Sequence, residues 1–362
     1  ASLGGANMSD VVKVGNVSAE VGTCEQGYIK GVELTTGDSI DIPVIVLNGV
    51  KEGPTALLFS TQHGKELQGT AVVHELIHER LSPEEVAGTV IAIPVANPLA
   101  FMHATYRSWV DNRDVGYVSV ENPKGNTTER LANAIWENAW SKADVVVNYH
   151  CNDHPDSLYF QIIRPTKKTE ADVERAAEAF GITTIRKDEI VESGPGPIGA
   201  DRIATLSNKG AAESIPELMI EFINGRYLDD TSLRVGVDGT IDVLREFDLL
   251  EGDPSEGPQE DITLVPCQYT GGNGVNRAYG MIRNNSGGIF YPRQPTGEFV
   301  GEGETVADIV DLHGNHVESV KMPVDGYLWA YAGSQQFATS GGMQTIESGG
   351  KVVYAFTHEE EV

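Results

Sequence analysis

The sequence predicts an α/β protein: a mixed, mostly parallel central sheet with helices on both faces, followed by a small C-terminal all-β barrel-sandwich domain. Three observations carry this. Apolar runs suited to buried strands alternate with helical patterns through the first two-thirds of the chain. Near Gly252 the texture turns acidic and rich in Pro and Gly. From Thr263 onward, short alternating runs are separated by glycines, the mark of strands joined by frequent turns.

The strand-like runs are IPVIVLNG, TALLFS, TVIAIPV, DVVVNYH, LYFQII and ELMIEF. Helical patterns cover Glu66 to Leu81, Thr127 to Ser141, Glu170 to Phe180 and Thr231 to Leu250. Asn126, with Glu129 three residues on, predicts a capped start for the second helix, and Gly181 a stop for the third. EGDPSEGPQED reads as a linker, so the expected division is an α/β domain over 11–252 and a β-rich domain over 263–358. In the latter, two segments of similar type, Phe290 to Gly297 and Met322 to Gly326, suggest two similar halves. Gly301 to Glu304 is too short and too charged for a phosphate loop and reads as a turn.

Composition excludes several classes of function. The chain has 362 residues, with 53 Asp and Glu against 26 Lys and Arg, a net charge of −27. Nucleic-acid binding requires a basic stripe, and none is visible. No stretch approaches the ~18 unbroken apolar residues of a membrane span, and ASLGGANMSD lacks the features of a signal peptide. Cys24, Cys151 and Cys267 form neither a disulfide framework nor a cysteine metal site, which favours a reducing, cytoplasmic setting. Self-repulsion at this net charge is best tolerated where salt screens it, so a halophilic, salt-loaded cytoplasm is the preferred reading.

The chemistry-bearing residues lie at strand ends. His63 and Glu66 follow the run Leu57 to Ser60, and His150 ends the run Val145 to Tyr149. Ligands collect at the carboxyl ends of parallel strands because the loops there converge on one crevice. Two imidazoles and one carboxylate leave a fourth position on Zn²⁺ open for water, as a catalytic site requires. Cys151, on the next residue, should face away, since strand side chains alternate. A competing motif is His74-Glu75-Leu76-Ile77-His78, which matches H-E-x-x-H. Its two histidines share one helix side, but they border an apolar stripe of Leu67, Val73, Ile77 and Leu81. No third ligand follows on a later helix, so a helix-surface or core-edge pair is expected.

His63-Gly64-Lys65-Glu66, Asn97-Pro98, Thr128-Glu129-Arg130-Leu131-Ala132 and Asp144 to His150, in this order, resemble the succinylglutamate desuccinylase/aspartoacylase family of zinc carboxypeptidase-like amidohydrolases. The resemblance extends over roughly residues 40 to 350. It implies Zn²⁺ held by His63, Glu66 and His150, a general base at Glu221 in PELMIEFINGR, and Arg107 polarising the scissile carbonyl. Glu217, at the start of the same run, should lie toward the other edge of the sheet. The residue-level alternatives are a structural pairing of Glu221 with Arg226 and a solvated surface role for Arg107. The family's Asp-x-Asn-Arg segment, whose Asn-Arg pair helps to hold the substrate carboxylate, is replaced by Asp114-Val115-Gly116-Tyr117. A shifted reading gives Ser119 and Val120 instead of the pair, and Asn112-Arg113 comes too early to restore it. The resemblance implies hydrolysis of a small N-acyl amino acid or related N-acyl amine. A metallocarboxypeptidase using the same site, or a zinc-binding protein without catalysis, are the alternatives. The expected partner is a small N-acyl substrate, without nucleic acid or membrane; a homo-oligomer is left open.

Overall fold

The computed structural model describes residues 11–151, 160–186, 204–223, 228–255, 265–266, 280–295, 298–323, 325–331, 345–346 and 351–356. Cys267, Arg226, Gly297 and part of the expected linker lie outside them. An antiparallel hairpin of β1 (Val12–Val14) and β2 (Val17–Ala19) precedes a nine-stranded sheet. Its strands are β3 (Thr23–Glu33), β4 (Ser39–Asn48), β5 (Lys51–Ser60), β6 (Ala87–Ile93), β7 (Val145–Cys151), β8 (Phe160–Ile163), β9 (Thr184–Arg186), β10 (Glu217–Phe222) and β11 (Val265–Pro266). The spatial order is β11-β9-β8-β10-β7-β5-β6-β4-β3. From β11 to β6 every pairing is parallel except β8 with β10, while β4 runs antiparallel to both β6 and β3. The sheet is therefore mixed and mostly parallel. β11, which follows the expected linker in sequence, pairs with β9 of this sheet.

Helices cover both faces because the central strands are apolar on both sides. α1 (Gln68–Glu75), α4 (Glu170–Phe180) and α6 (Asp230–Glu246) pack over Val145, Val147, Tyr149, Leu218, Ile220 and Phe222. α2 (Pro98–Phe101), α3 (Thr127–Asn138) and α5 (Leu206–Ala212) cover the other face, where Leu57, Phe59 and Val146 meet Leu99, Leu131, Trp140 and Leu206. The capping box at Asn126 and Glu129 has both of its hydrogen bonds, and Gly181 ends α4 at φ +75°.

The single helix expected over 66–81 is interrupted. After α1 the chain makes a π-helical turn, Leu76–Arg80, closed by the Leu81 amide donating to the Leu76 carbonyl. The wider turn keeps Leu76, Ile77 and Leu81 all buried against the sheet. The second expected helix ends at Asn138 and continues as a 3₁₀ turn, Trp140–Lys142.

The C-terminal region contributes β12 (Gly280–Arg283), β13 (Gly288–Pro292), β14 (Phe299–Val300), β15 (Thr305–Val310), β16 (His316–Lys321), β17 (Gly326–Tyr331), β18 (Thr345–Ile346) and β19 (Lys351–Phe356). They form two four-stranded sheets, β12-β19-β17-β14 and β16-β15-β13-β18. Ile282, Val300 and Leu328 of one sheet share an apolar cluster with Phe290, Ile309 and Val320 of the other. Gly301 to Glu304 is a turn, with Gly303 at φ +84°.

Candidate metal centre and active site

Three neighbouring strands deliver the site at their carboxyl ends. Ser60, the last residue of β5, lies opposite Tyr149, and His150 is registered against Glu221 of β10. Strand alternation then puts Asn148 and His150 of β7, with Glu217, Met219 and Glu221 of β10, on one face. Cys151 lies with the apolar cluster on the opposite face, as alternation requires.

The loop after β5 is tightly fixed. Thr61 adopts φ +51°, a left-handed conformation that costs a β-branched residue energy. Its hydroxyl donates to the Glu66 carbonyl at 2.9 Å, and its own carbonyl accepts from the Asn97 amide at 3.1 Å. The Gly64 amide donates to the Thr105 carbonyl at 2.8 Å. A Cβ on Gly64 would stand 2.0 Å from the Ala100 carbonyl carbon, so only glycine allows this approach.

His63, Glu66 and His150 converge in the interior, each less than 5% exposed. Their donor atoms all lie within 4.8 Å of one another. The His63 and His150 Nδ1 atoms are 3.3 Å apart, His150 Nδ1 is 3.1 Å from Glu66 Oε2, and His63 Nδ1 is 2.7 Å from Glu66 Oε1. A tetrahedral zinc with Zn–N bonds of about 2.0–2.1 Å has ligand–ligand edges of about 3.3 Å, which the first two distances match. The donor set fits the ion in charge as well. Two buried carboxylates, Glu66 and Asp114, face two imidazoles, and buried anions require a compensating cation.

Asp114 completes the arrangement. Its Oδ2 lies 3.0 Å from His63 Nε2, and its Oδ1 accepts from the Gly116 amide at 2.8 Å. A carboxylate on the far nitrogen of a ligating histidine fixes the tautomer and the ring plane. Tyr106 stacks on the same ring at 3.7 Å between centroids, with the planes 16° apart. Burial alone would lower the His63 pKa, but the charges of Glu66 and Asp114 outweigh it and raise the group to about 10. Burial alone would raise Glu66; His63 and the hydrogen bond from His150 prevail and hold it below the ordinary carboxylate range.

Glu221 is half-buried beside His150, while Arg107 has an exposed side chain one residue beyond Tyr106. Glu217 lies four residues down the strand, opposite Val146, as expected, but it is buried and accepts from Asn148 Nδ2 at 2.7 Å. His74 and His78 are exposed, with ring centroids 6.2 Å apart, and belong to a different surface. The sequence reading did not find the contacts of Asp114 and Tyr106 to His63. The signal available was Asp114 in the first position of the altered Asp-x-Asn-Arg segment.

Residues 52–194 match the family model of the Succinylglutamate desuccinylase/Aspartoacylase catalytic domain. The match includes His63, Glu66, Asp114 and His150 and stops short of Glu221. Among relatives, 138 residues are 30% identical to the N-alpha-acetyl-L-2,4-diaminobutyric acid deacetylase of Halomonas elongata, spanning 37% of this chain and 40% of that protein. The chain therefore aligns with less than half of this curated relative. A succinylglutamate desuccinylase/aspartoacylase structure from Rhodobacter sphaeroides shares the fold with a TM-score of 0.74 at 24% identity, covering 93% of this chain and 96% of that one. The product-bound ectoine utilization protein EutE (DoeB) from Ruegeria pomeroyi does so with a TM-score of 0.75 at 22% identity, covering 92% and 95%. Among the described residues, no helix is long and apolar enough to cross a membrane.

Proposed function

We propose that the protein is a zinc-dependent amidohydrolase that cleaves the amide bond of a small N-acyl amino acid or related N-acyl amine. The observation that carries this reading is the buried His63–Glu66–His150 cluster with Glu221 in register beside it. The deacetylase activity in the name of the Halomonas elongata relative supports it. Zn²⁺ held by His63, Glu66 and His150 would supply a Lewis acid for the amide carbonyl and lower the pKa of a water toward 7.

The chain's own residues do the rest. Glu221 takes the proton of the attacking water and later delivers it to the leaving nitrogen, as a positioned carboxylate can. Arg107 donates to the carbonyl oxygen as negative charge gathers on it. Asp114 and Tyr106 hold the His63 ring in orientation and plane, so the donors are set before substrate arrives. The products are a carboxylic acid and an amine. A reducing, salt-loaded cytoplasm is the proposed setting.

The test is metal analysis of the purified protein followed by a screen of N-acyl amino acids and N-acyl amines with zinc present. About one zinc per chain and release of a free amine are expected. A zinc-loaded protein that releases no amine from any of them would overturn the reading.

A further inference from the structure

The H-E-x-x-H motif takes no part in the cluster at the strand ends, yet its two imidazoles are placed to act together. His74 lies in the last turn of α1 and His78 in the π-helical turn Leu76–Arg80, and both are exposed. Their ring centroids stand 6.2 Å apart, with the planes 49° apart. In an α-helix four residues advance slightly more than one full turn, so side chains at this spacing are offset around the axis. The wider π turn advances less per residue and removes part of that offset. The two rings therefore rise from the helix nearly in line. The backbone beneath them is held in place, because Val72, Val73, Leu76 and Ile77 are buried in the core.

Three features suit the pair to a metal ion. Imidazole is a favoured ligand of Zn²⁺, Ni²⁺ and Cu²⁺. One ion about 2.0–2.1 Å from a nitrogen of each ring can be shared at this separation once the exposed side chains rotate slightly inward. Burial, and then the neighbouring His78, hold the His74 pKa below its ordinary value, which leaves that ring unprotonated and able to ligate at neutral pH. The net charge of −27 draws cations to the surface. Glu75 is engaged elsewhere: its Oε1 accepts from Arg80 Nε at 2.9 Å. That ion pair takes the carboxylate which an H-E-x-x-H hydrolase uses as its base, so the pair binds an ion without hydrolytic chemistry.

We propose that His74 and His78 form a second metal site, a surface chelate for an imidazole-seeking divalent transition-metal ion whose remaining positions are filled by water. The site stands whether or not the buried cluster is catalytic. Held by only two ligands in the open, the ion exchanges with solvent and leaves on dialysis, so it adds nothing to the tightly held zinc. While bound, it ties α1 to the π turn and resists unwinding of the helix that begins two residues after Glu66.

The probe is Ni²⁺, titrated calorimetrically into dialysed, zinc-loaded protein in about 1 M KCl. There the Debye length is about 3 Å, which screens the surface carboxylates and leaves coordinate bonds to neutral imidazoles intact. Wild type is compared with His74→Ala, His78→Ala and His313→Ala, the last removing an exposed histidine far along the chain. All three side chains are exposed, and circular dichroism checks that the variants fold as wild type does. Wild type and His313→Ala should bind one Ni²⁺ equally. Loss of either His74 or His78 should weaken that binding by about 100-fold, the scale of a lost second attachment. Ni²⁺ should also raise the melting temperature of wild type and leave those two variants unmoved. Equal affinity in wild type and both variants, or wild-type binding that appears only in low salt, would reduce the site to diffuse attraction by carboxylates and overturn the proposal. Weakening in one variant alone would leave a single ligating histidine and overturn the chelate.

Discussion

At the scale of single residues, the site is an arrangement of charges that calls for a cation. Without metal, Glu66 and Asp114 keep His63 protonated at neutral pH, since its pKa is raised to about 10. A ligating nitrogen must be bare, so zinc uptake displaces that proton. Calorimetric titration of zinc into chelator-stripped protein, in two buffers of different ionisation enthalpy, should show release of about one proton per zinc at pH 7. Zinc uptake without proton release would remove His63 from the ligand set. Glu221→Gln should retain zinc and fold while lowering kcat by about 10²- to 10⁴-fold, the scale of a lost general base. Unchanged kcat would remove Glu221 from the mechanism. The convergence of His63, Glu66 and His150 was legible in the sequence because the first two follow one apolar run closely and the third ends another. The Asp114 contact was not, because a loop brings it to His63 from 51 residues away and no periodicity encodes that approach.

At the scale of elements, the runs buried on both faces gave themselves away, and the edges did not. β6, most of β7 and the second half of β5 are nearly continuous buried stretches. β3 is an edge strand with only Ile29 and Val32 buried, so its pattern resembles a loop. The π-helical turn escaped notice for another reason: one wider turn leaves the apolar spacing almost unchanged. That turn carries His78 of the H-E-x-x-H motif, and both histidines of the motif stay exposed. A His74→Ala, His78→Ala variant should therefore keep its full zinc content, whereas His63→Ala, His150→Ala should lose it. Metal analysis of the two purified proteins decides the matter, and the reverse result would move the metal to the helix.

At the scale of the whole molecule, acids outnumber bases about two to one, and bases are shared between acids. Lys209 bridges Glu121 and Glu213, and Arg175 bridges Asp172 and Glu246. Exposed pairs of this kind contribute little, about 0–1 kcal/mol each, so they do not offset the repulsion of a −27 chain. Salt shortens the Debye length to about 3 Å at 1 M, so the melting temperature should rise with KCl into the molar range. Because excluded salts also strengthen apolar burial, the comparison is with a variant carrying a dozen surface Glu→Lys changes. Equal slopes for the two proteins, with wild type fully stable in low salt, would end the halophilic reading. The 87 residues separating His63 from His150 have a temporal consequence. The geometry that brings both imidazoles to one point is fixed only when β5 and β7 pair, a non-local step. A zinc ion held there would therefore stabilise the paired sheet, and it should slow unfolding more than it hastens assembly.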